Sequence, residues 1–186
     1  GGDILKIEVG YYKGNNNIIT TGSLGEVFIE STRIALSYIK SNYKKLNIDE
    51  ELLETHDIHI HVPEGAVPKD GPSAGVAIIA SILSAAWGKV IGKEKPYDVA
   101  FTGEVDLYGN IFAVGGIIEK LVAAEVSCKR VYIPQQNYER ISQEYLKRFQ
   151  CEIKGIDNFK QIEGDIFYKT GETNDEKKKR DSFGRC

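Results

Sequence analysis

A mixed α/β sandwich, an α+β arrangement around one core, is the fold class that this 186-residue sequence predicts. Strand-like and helix-like apolar patterns alternate along most of the chain. A hairpin pattern interrupts that alternation, which argues against a purely parallel, doubly wound sheet. The length suffices for one domain with a sizeable core.

Taken in order, Ile4 to Val9 and Ile18 to Thr21 read as strands around an Asn-Asn-Asn turn. Leu24 to Lys45 reads as a helix, because Leu24, Val27, Phe28, Ile34, Ala35, Tyr38 and Ile39 recur at helical spacing. Asp57 to Val62 alternates as a strand, and 63–72 is a loop rich in Pro and Gly. Residues 73–87 are almost all small or apolar, the composition of a buried helix. Tyr97 to Thr102 reads as a strand, and Glu104–Leu107 with Ile111–Val114 as a hairpin around Tyr108-Gly109-Asn110. Helix 116–127, strand 130–133, helix 135–148, strand 150–155 and a short helix near 158–164 complete a domain predicted to span 1–170. Charged and polar residues dominate 171–186, which reads as a disordered tail.

Composition narrows the function classes. A net charge of −3 argues against nucleic-acid binding driven by bulk electrostatics. Cys128, Cys151 and Cys186 are odd in number and contain no C-x-x-C pair, so a disulfide framework or zinc site is not expected and a reducing compartment is favoured. The longest apolar run, Val76 to Trp87, is too short to span a bilayer. The chain opens Gly1-Gly2-Asp3 and contains no methionine, so it reads as an excised piece, and the lack of a secretory-type leader says nothing of where its parent resides.

Chemistry concentrates at Pro68-Lys69-Asp70-Gly71-Pro72-Ser73-Ala74-Gly75. Pro72 suits the first position of a helix, with Asp70 or Gly71 at its cap. Ser73 then falls in the first turn, where the helix dipole favours developing negative charge. Pro72 has no N–H, so an oxyanion hole would need the Ser73 N–H with that of Gly71 or Asp70. The bland reading makes Ser73 a helix-start residue and the glycines mere turn formers.

Two kinds of base are available to such a serine. His56, His59 and His61 are the only histidines. His59 and His61 share one strand face, so a Ser-His-acid triad, a metal pair lacking a nominated third ligand, or plain hydrogen-bonded sheet histidines all fit. Lys120 shares a helical face with Ile117 and Ala124 behind Gly115-Gly116. A lysine in water has a pKa of ~10.4 and is neutral about one time in a thousand near pH 7. Burial that lowered it by ~3 units would destabilise the ammonium by ~4 kcal/mol. The alternative is a lysine that extends its ammonium to solvent.

The stretch His59 to Gly75 closely resembles the active-site segment of the Lon proteases. So do Thr21-Gly22-Ser23-Leu24-Gly25-Glu26-Val27, Phe101-Thr102-Gly103-Glu104-Val105 and Val114-Gly115-Gly116-Ile117-Ile118-Glu119-Lys120. Several motifs in the family's order, from about residue 20 to 168, are more specific than any one of them. The resemblance implies a fold like the second domain of ribosomal protein S5, with Ser73 as nucleophile and Lys120 as base. It implies that Thr102 hydrogen-bonds the lysine amine, with Gly71, Asp70 and Glu64 in the loop ahead of the serine. Ile118 stands where many members carry a charged or polar residue, and 88–96 looks slightly expanded; neither touches the dyad.

The resemblance also implies what lies outside this chain. Lon proteases carry an AAA+ module that uses ATP and Mg2+, and no G-x-x-x-x-G-K-[ST] occurs here, so no cofactor is expected for this domain. The family's protease domain begins somewhat upstream, so the first strand is expected to be truncated. Family members form hexamers that degrade unfolded or damaged proteins, without membrane or nucleic acid as partners of this domain. The Thr55-His56-Asp57-Ile58-His59-Ile60-His61 stretch is similar to mitochondrial-type members, implying the matrix, with the cytoplasm as alternative. A non-proteolytic assembly scaffold is the competing function.

Overall fold

The computed structural model describes residues 4–67, 69–87, 89–91, 99–162 and 167–169, those at 89–91 and 167–169 by backbone alone. The tail at 171–186 and residues 92–98 lie outside the described residues. Two three-stranded sheets carry the domain. In the first, β3 (His56–His61) lies between β1 (Glu8–Lys13), antiparallel to it, and β2 (Ile18–Thr21), parallel to it. In the second, β5 (Val99–Phe101), β8 (Arg130–Pro134) and β9 (Glu152–Ile156) are all parallel. Two small antiparallel pairs join β4 (Lys89–Ile91) to β10 (Phe167–Lys169) and β6 (Glu104–Val105) to β7 (Ile111–Phe112).

The main core lies between these sheets and two helices, α1 (Glu26–Ser41) and α3 (Gly75–Trp87). Phe28, Tyr38 and Ile39 of α1 meet Ile78, Ile79 and Leu83 of α3, with Ile58 and Ile60 from β3. Strand β8 is buried on both faces. Tyr132 points into that core and stacks on Phe101 at 5.4 Å, whereas Val131 and Ile133 point the other way, towards α4 (Ile117–Glu125). Leu121 of α4 is fully buried there, which contributes about 1.5–3 kcal/mol. Among the described residues no helix is long and apolar enough to cross a membrane.

Several boundaries differ from the sequence expectations for identifiable reasons. The first strand is displaced to Glu8–Lys13, because pairing with β3 (Glu8 opposite His61, Lys13 opposite His56) decides its extent. Helix α1 starts only at Glu26, since Ser23 has φ 58° and Leu24 bridges to Lys69. A further helix, α2 (Glu50–Thr55), is capped by Asp49, whose carboxylate accepts from Glu51 N at 3.0 Å. The single helix expected over 135–148 is two, α5 (Gln135–Glu139) and α6 (Gln143–Leu146). Ser142 ends the continuity by capping α6 through Tyr145 N at 3.1 Å. A 3-10 turn at Phe159–Gln161 replaces the short helix, held by an Asn158–Gln161 capping box.

Candidate active site

The serine arm is built by the loop after β3. The main chain of Lys69 bridges to the segment ahead of α1, its N–H donating to Ser23 O at 3.0 Å and its carbonyl accepting from Gly25 N at 2.7 Å. Next along the chain, Asp70 does not cap the helix that follows the serine, as its position suggests. Its Oδ1 accepts from Phe28 N at 3.0 Å and so caps α1, whose own N-cap residue, Gly25, has no side chain to do so. The lack of a side chain is required: a Cβ on Gly25 would lie 2.3 Å from Asp70 Cγ. The same Oδ1 accepts from Gly71 N at 2.8 Å. These N–H groups, Gly71 first and Phe28 second, hold the Asp70 carboxyl below its ordinary value.

Ser73 itself sits in a turn two residues ahead of α3 rather than inside its first helical turn. Its carbonyl accepts from Gly103 N at 2.8 Å and from Thr102 Oγ1 at 3.4 Å, and Val76 N donates back to Gly103 O at 3.2 Å. Thr102 is buried and is fixed through its own N–H to Tyr132 O at 3.0 Å. The Phe-Thr-Gly-Glu-Val motif thus holds the serine's backbone against the end of β5. Of the candidate oxyanion donors, the Gly71 N–H faces the Asp70 carboxylate in this pose. Glu64, with φ 69°, opens a turn in the same loop, closed by Val67 N to Glu64 O at 3.0 Å.

The lysine arm is built differently. Gly116 starts α4 in the left-handed region at φ 66°, and Lys120 N donates to Gly116 O at 3.1 Å. Ahead of it, Asn137 clamps Val114 as a strand would: Val114 N donates to Asn137 Oδ1 and Asn137 Nδ2 to Val114 O, both at 2.9 Å. Gln136 Oε1 takes the neighbouring Ala113 N–H at 3.1 Å. Lys120 is half-buried, and burial lowers its pKa from the ordinary 10.5. No hydrogen bond joins Lys120 Nζ to Ser73 or Thr102 among the described residues. Ser73, Thr102 and Gly103 are brought together; Lys120 stands on the helix that covers the opposite face of β8.

The histidines are occupied elsewhere. Thr21 Oγ1 bonds both His59 Nε2 at 2.9 Å and His61 Nδ1 at 2.6 Å on the outer sheet face. Among the described residues no three His, Cys, Asp or Glu side chains cluster as metal ligands.

Lys69 and Asn137 are the site residues that sequence reasoning misses. Nothing in a lysine between Pro68 and Asp70 signals burial, and an asparagine after Pro134-Gln135-Gln136 reads as a surface residue. Asn137→Ala would leave the Val114 N–H and C=O unpaired beside a buried site. The expected cost is about 1–3 kcal/mol, read as a lower unfolding midpoint in urea at unchanged slope.

A serine turn held at the end of β5 and a half-buried lysine on α4 are thus set around the second sheet. The chain matches the model of the Lon protease (S16) C-terminal proteolytic domain over residues 1–165. It belongs to the Lon protease family, as the proteolytic domain. It is 49% identical over 142 residues to the Lon protease of Aster yellows witches'-broom phytoplasma, covering 76% of this chain and 17% of that protein. The Lon protease of Mycoplasma mycoides is 47% identical over 142 residues, with 76% and 17% covered. That of Clostridioides difficile is 38% identical over 179 residues, with 94% and 22% covered. The chain therefore spans about a fifth of the length of these relatives.

Proposed function

We propose that this chain is the serine endopeptidase domain of an ATP-dependent protease that degrades unfolded or damaged proteins, with Ser73 as nucleophile and Lys120 as base. The observation that carries the reading is the half-buried Lys120, whose pKa burial lowers, in a chain that keeps a serine in the Gly-Pro-Ser-Ala-Gly turn. In this mechanism neutral Lys120 takes the Ser73 hydroxyl proton as the Ser73 oxygen bonds to the peptide carbonyl carbon. Backbone N–H groups hold the oxyanion. The carbon–nitrogen bond then breaks, and the Lys120 ammonium returns the proton to the leaving amine. Water hydrolyses the resulting ester with Lys120 again as base. Thr102, fixed between Ser73 O and Tyr132 O, is proposed to turn its hydroxyl to the lysine amine when the arms close.

The domain reading extends to the fold of ribosomal protein S5 domain 2, supported by the mixed sheets and the helices packed on them. ATP and Mg2+ are assigned to an AAA+ module, and assembly to a hexamer, both on family resemblance. For compartment, the bacterial relatives favour the cytoplasmic alternative over the mitochondrial matrix; fractionation of the source cell tests that choice.

Two observations favour the scaffold reading: among the described residues no hydrogen bond joins Ser73 to Lys120, and the Gly71 N–H is held by Asp70. A fluorophosphonate probe separates the two. Stoichiometric labelling that Ser73→Ala abolishes is the expected result. A full-length protein that is unlabelled and cleaves no unfolded protein with ATP is the result that would favour the scaffold.

A further inference from the structure

We propose that Lys69 is a positioning residue for Ser73, the fixed pivot from which the three-residue span Asp70–Pro72 presents the nucleophile; this rests on Ser73 being that nucleophile. Lys69 is buried, 6% exposed, although it lies in a loop. Among the described residues its ammonium has no carboxylate partner. Instead it donates to three main-chain carbonyls, Gly22 O at 2.8 Å, Glu64 O at 2.6 Å and, more weakly, Val62 O at 3.5 Å. Those carbonyls belong to the residue after β2, the residue after β3 and the first turn of the loop. One charged group therefore ties the end of β2 to the start of the loop after β3, through the stronger class of hydrogen bond. A buried ammonium without such acceptors would be strongly disfavoured.

The main chain of the same residue is held as well, through Ser23 O and Gly25 N. At the other end, the Ser73 carbonyl is pinned by Gly103 N. Between these two anchors lie only Asp70, Gly71 and Pro72, and the Asp70 carboxylate is itself tied to α1 through Phe28 N at 3.0 Å. Pro72 has a restricted φ, and Gly71 at φ 104° occupies a region open chiefly to glycine, so the pivot at Lys69 sets where the span to Ser73 begins while the Asp70 carboxylate holds the Gly71 N–H. Loosening the Lys69 end spreads the serine over several orientations, and a misplacement of about 1 Å costs on the order of 100-fold in rate.

The test is active-site labelling of the intact protein with a fluorophosphonate, read as two quantities. Lys69→Met removes the ammonium and keeps the apolar stem. It is expected to label to the same stoichiometry as wild type with a rate constant about 10- to 100-fold lower. A purely structural role would instead lower the labelled fraction and leave the rate constant of the remainder unchanged, and that result overturns the proposal, as does a wild-type rate. Should Lys69→Met fail to fold, Lys69→Arg serves. Its planar fork cannot aim three donors at converging carbonyls, so slower labelling is expected and a wild-type rate overturns the idea. Label that persists in Ser73→Ala removes the nucleophile reading and the Lys69 role with it. Label lost in Ser73→Ala but unchanged in rate at Lys69→Met removes the Lys69 role alone.

Discussion

Lys120→Arg is expected to lower kcat/KM for an unfolded protein substrate by about a thousandfold or more, while His61→Ala stays near wild type. Arginine keeps the positive charge and the length of the side chain but cannot release its proton at any accessible pH. The loss corresponds to ~4 kcal/mol of transition-state stabilisation. His61 is engaged by Thr21 on the outer sheet face and has no place in the proposed proton path. The wild-type rate should rise with pH, because the base acts when neutral, and the rise should be centred below the 10.5 of an ordinary lysine because burial disfavours the ammonium. The same shift has a consequence for stability. The folded state binds fewer protons than the unfolded state between the lowered pKa and the ordinary one, so stability increases with pH through that window and is lost as pH falls through the folded-state pKa. Lys120→Arg should flatten the pH–rate profile. A wild-type rate in Lys120→Arg, with loss in His61→Ala, would replace the dyad with a histidine triad.

The elements that read clearly from sequence are those whose pattern and packing agree. Ile18–Thr21 has the predicted bounds, and the helix expected over 73–87 forms as α3 from Gly75 to Trp87, with Val76, Ile78, Ile79, Ile82 and Leu83 in the core. Strand β8 reads as a continuous apolar run for the same reason, with Tyr132 and its neighbours buried on opposite faces. What sequence does not convey is tertiary capping. Asp70 lies beside Gly71 and Pro72 and so reads as the cap of the next helix, yet its carboxylate serves α1, far earlier in the chain, because Gly25 leaves room for it. Helix α2 is short, and only Asp49 followed by two glutamates marks it. Ser73 and Lys120 are nominated by local motifs; the contacts of Lys69, although it lies within the serine motif, and of Asn137 are not legible, since their partners are backbone atoms supplied by other segments.

Gly22→Ala is expected to destabilise the domain by about 2–4 kcal/mol and to slow Ser73 labelling together with it. Gly22 has φ 115°, a region that alanine enters only under strain. Space is equally restrictive: a Cβ there would lie 2.1 Å from Val62 O, a backbone atom that no rotamer change can move aside. Relief requires the end of β2 to part from the end of β3, where Val62 N now donates to Thr21 O at 3.1 Å. Both carbonyls at that junction, Gly22 O and Val62 O, are acceptors for the Lys69 ammonium, so the displacement reaches the loop that carries the serine. Urea unfolding and labelling kinetics on the same sample check the two effects. Fast labelling by a destabilised Gly22→Ala protein would show that the strand ends and the serine turn are mechanically independent, because the strain would then be confined to the sheet and the Lys69 contacts would survive it. Slow labelling alongside lowered stability is the outcome that the shared carbonyls require.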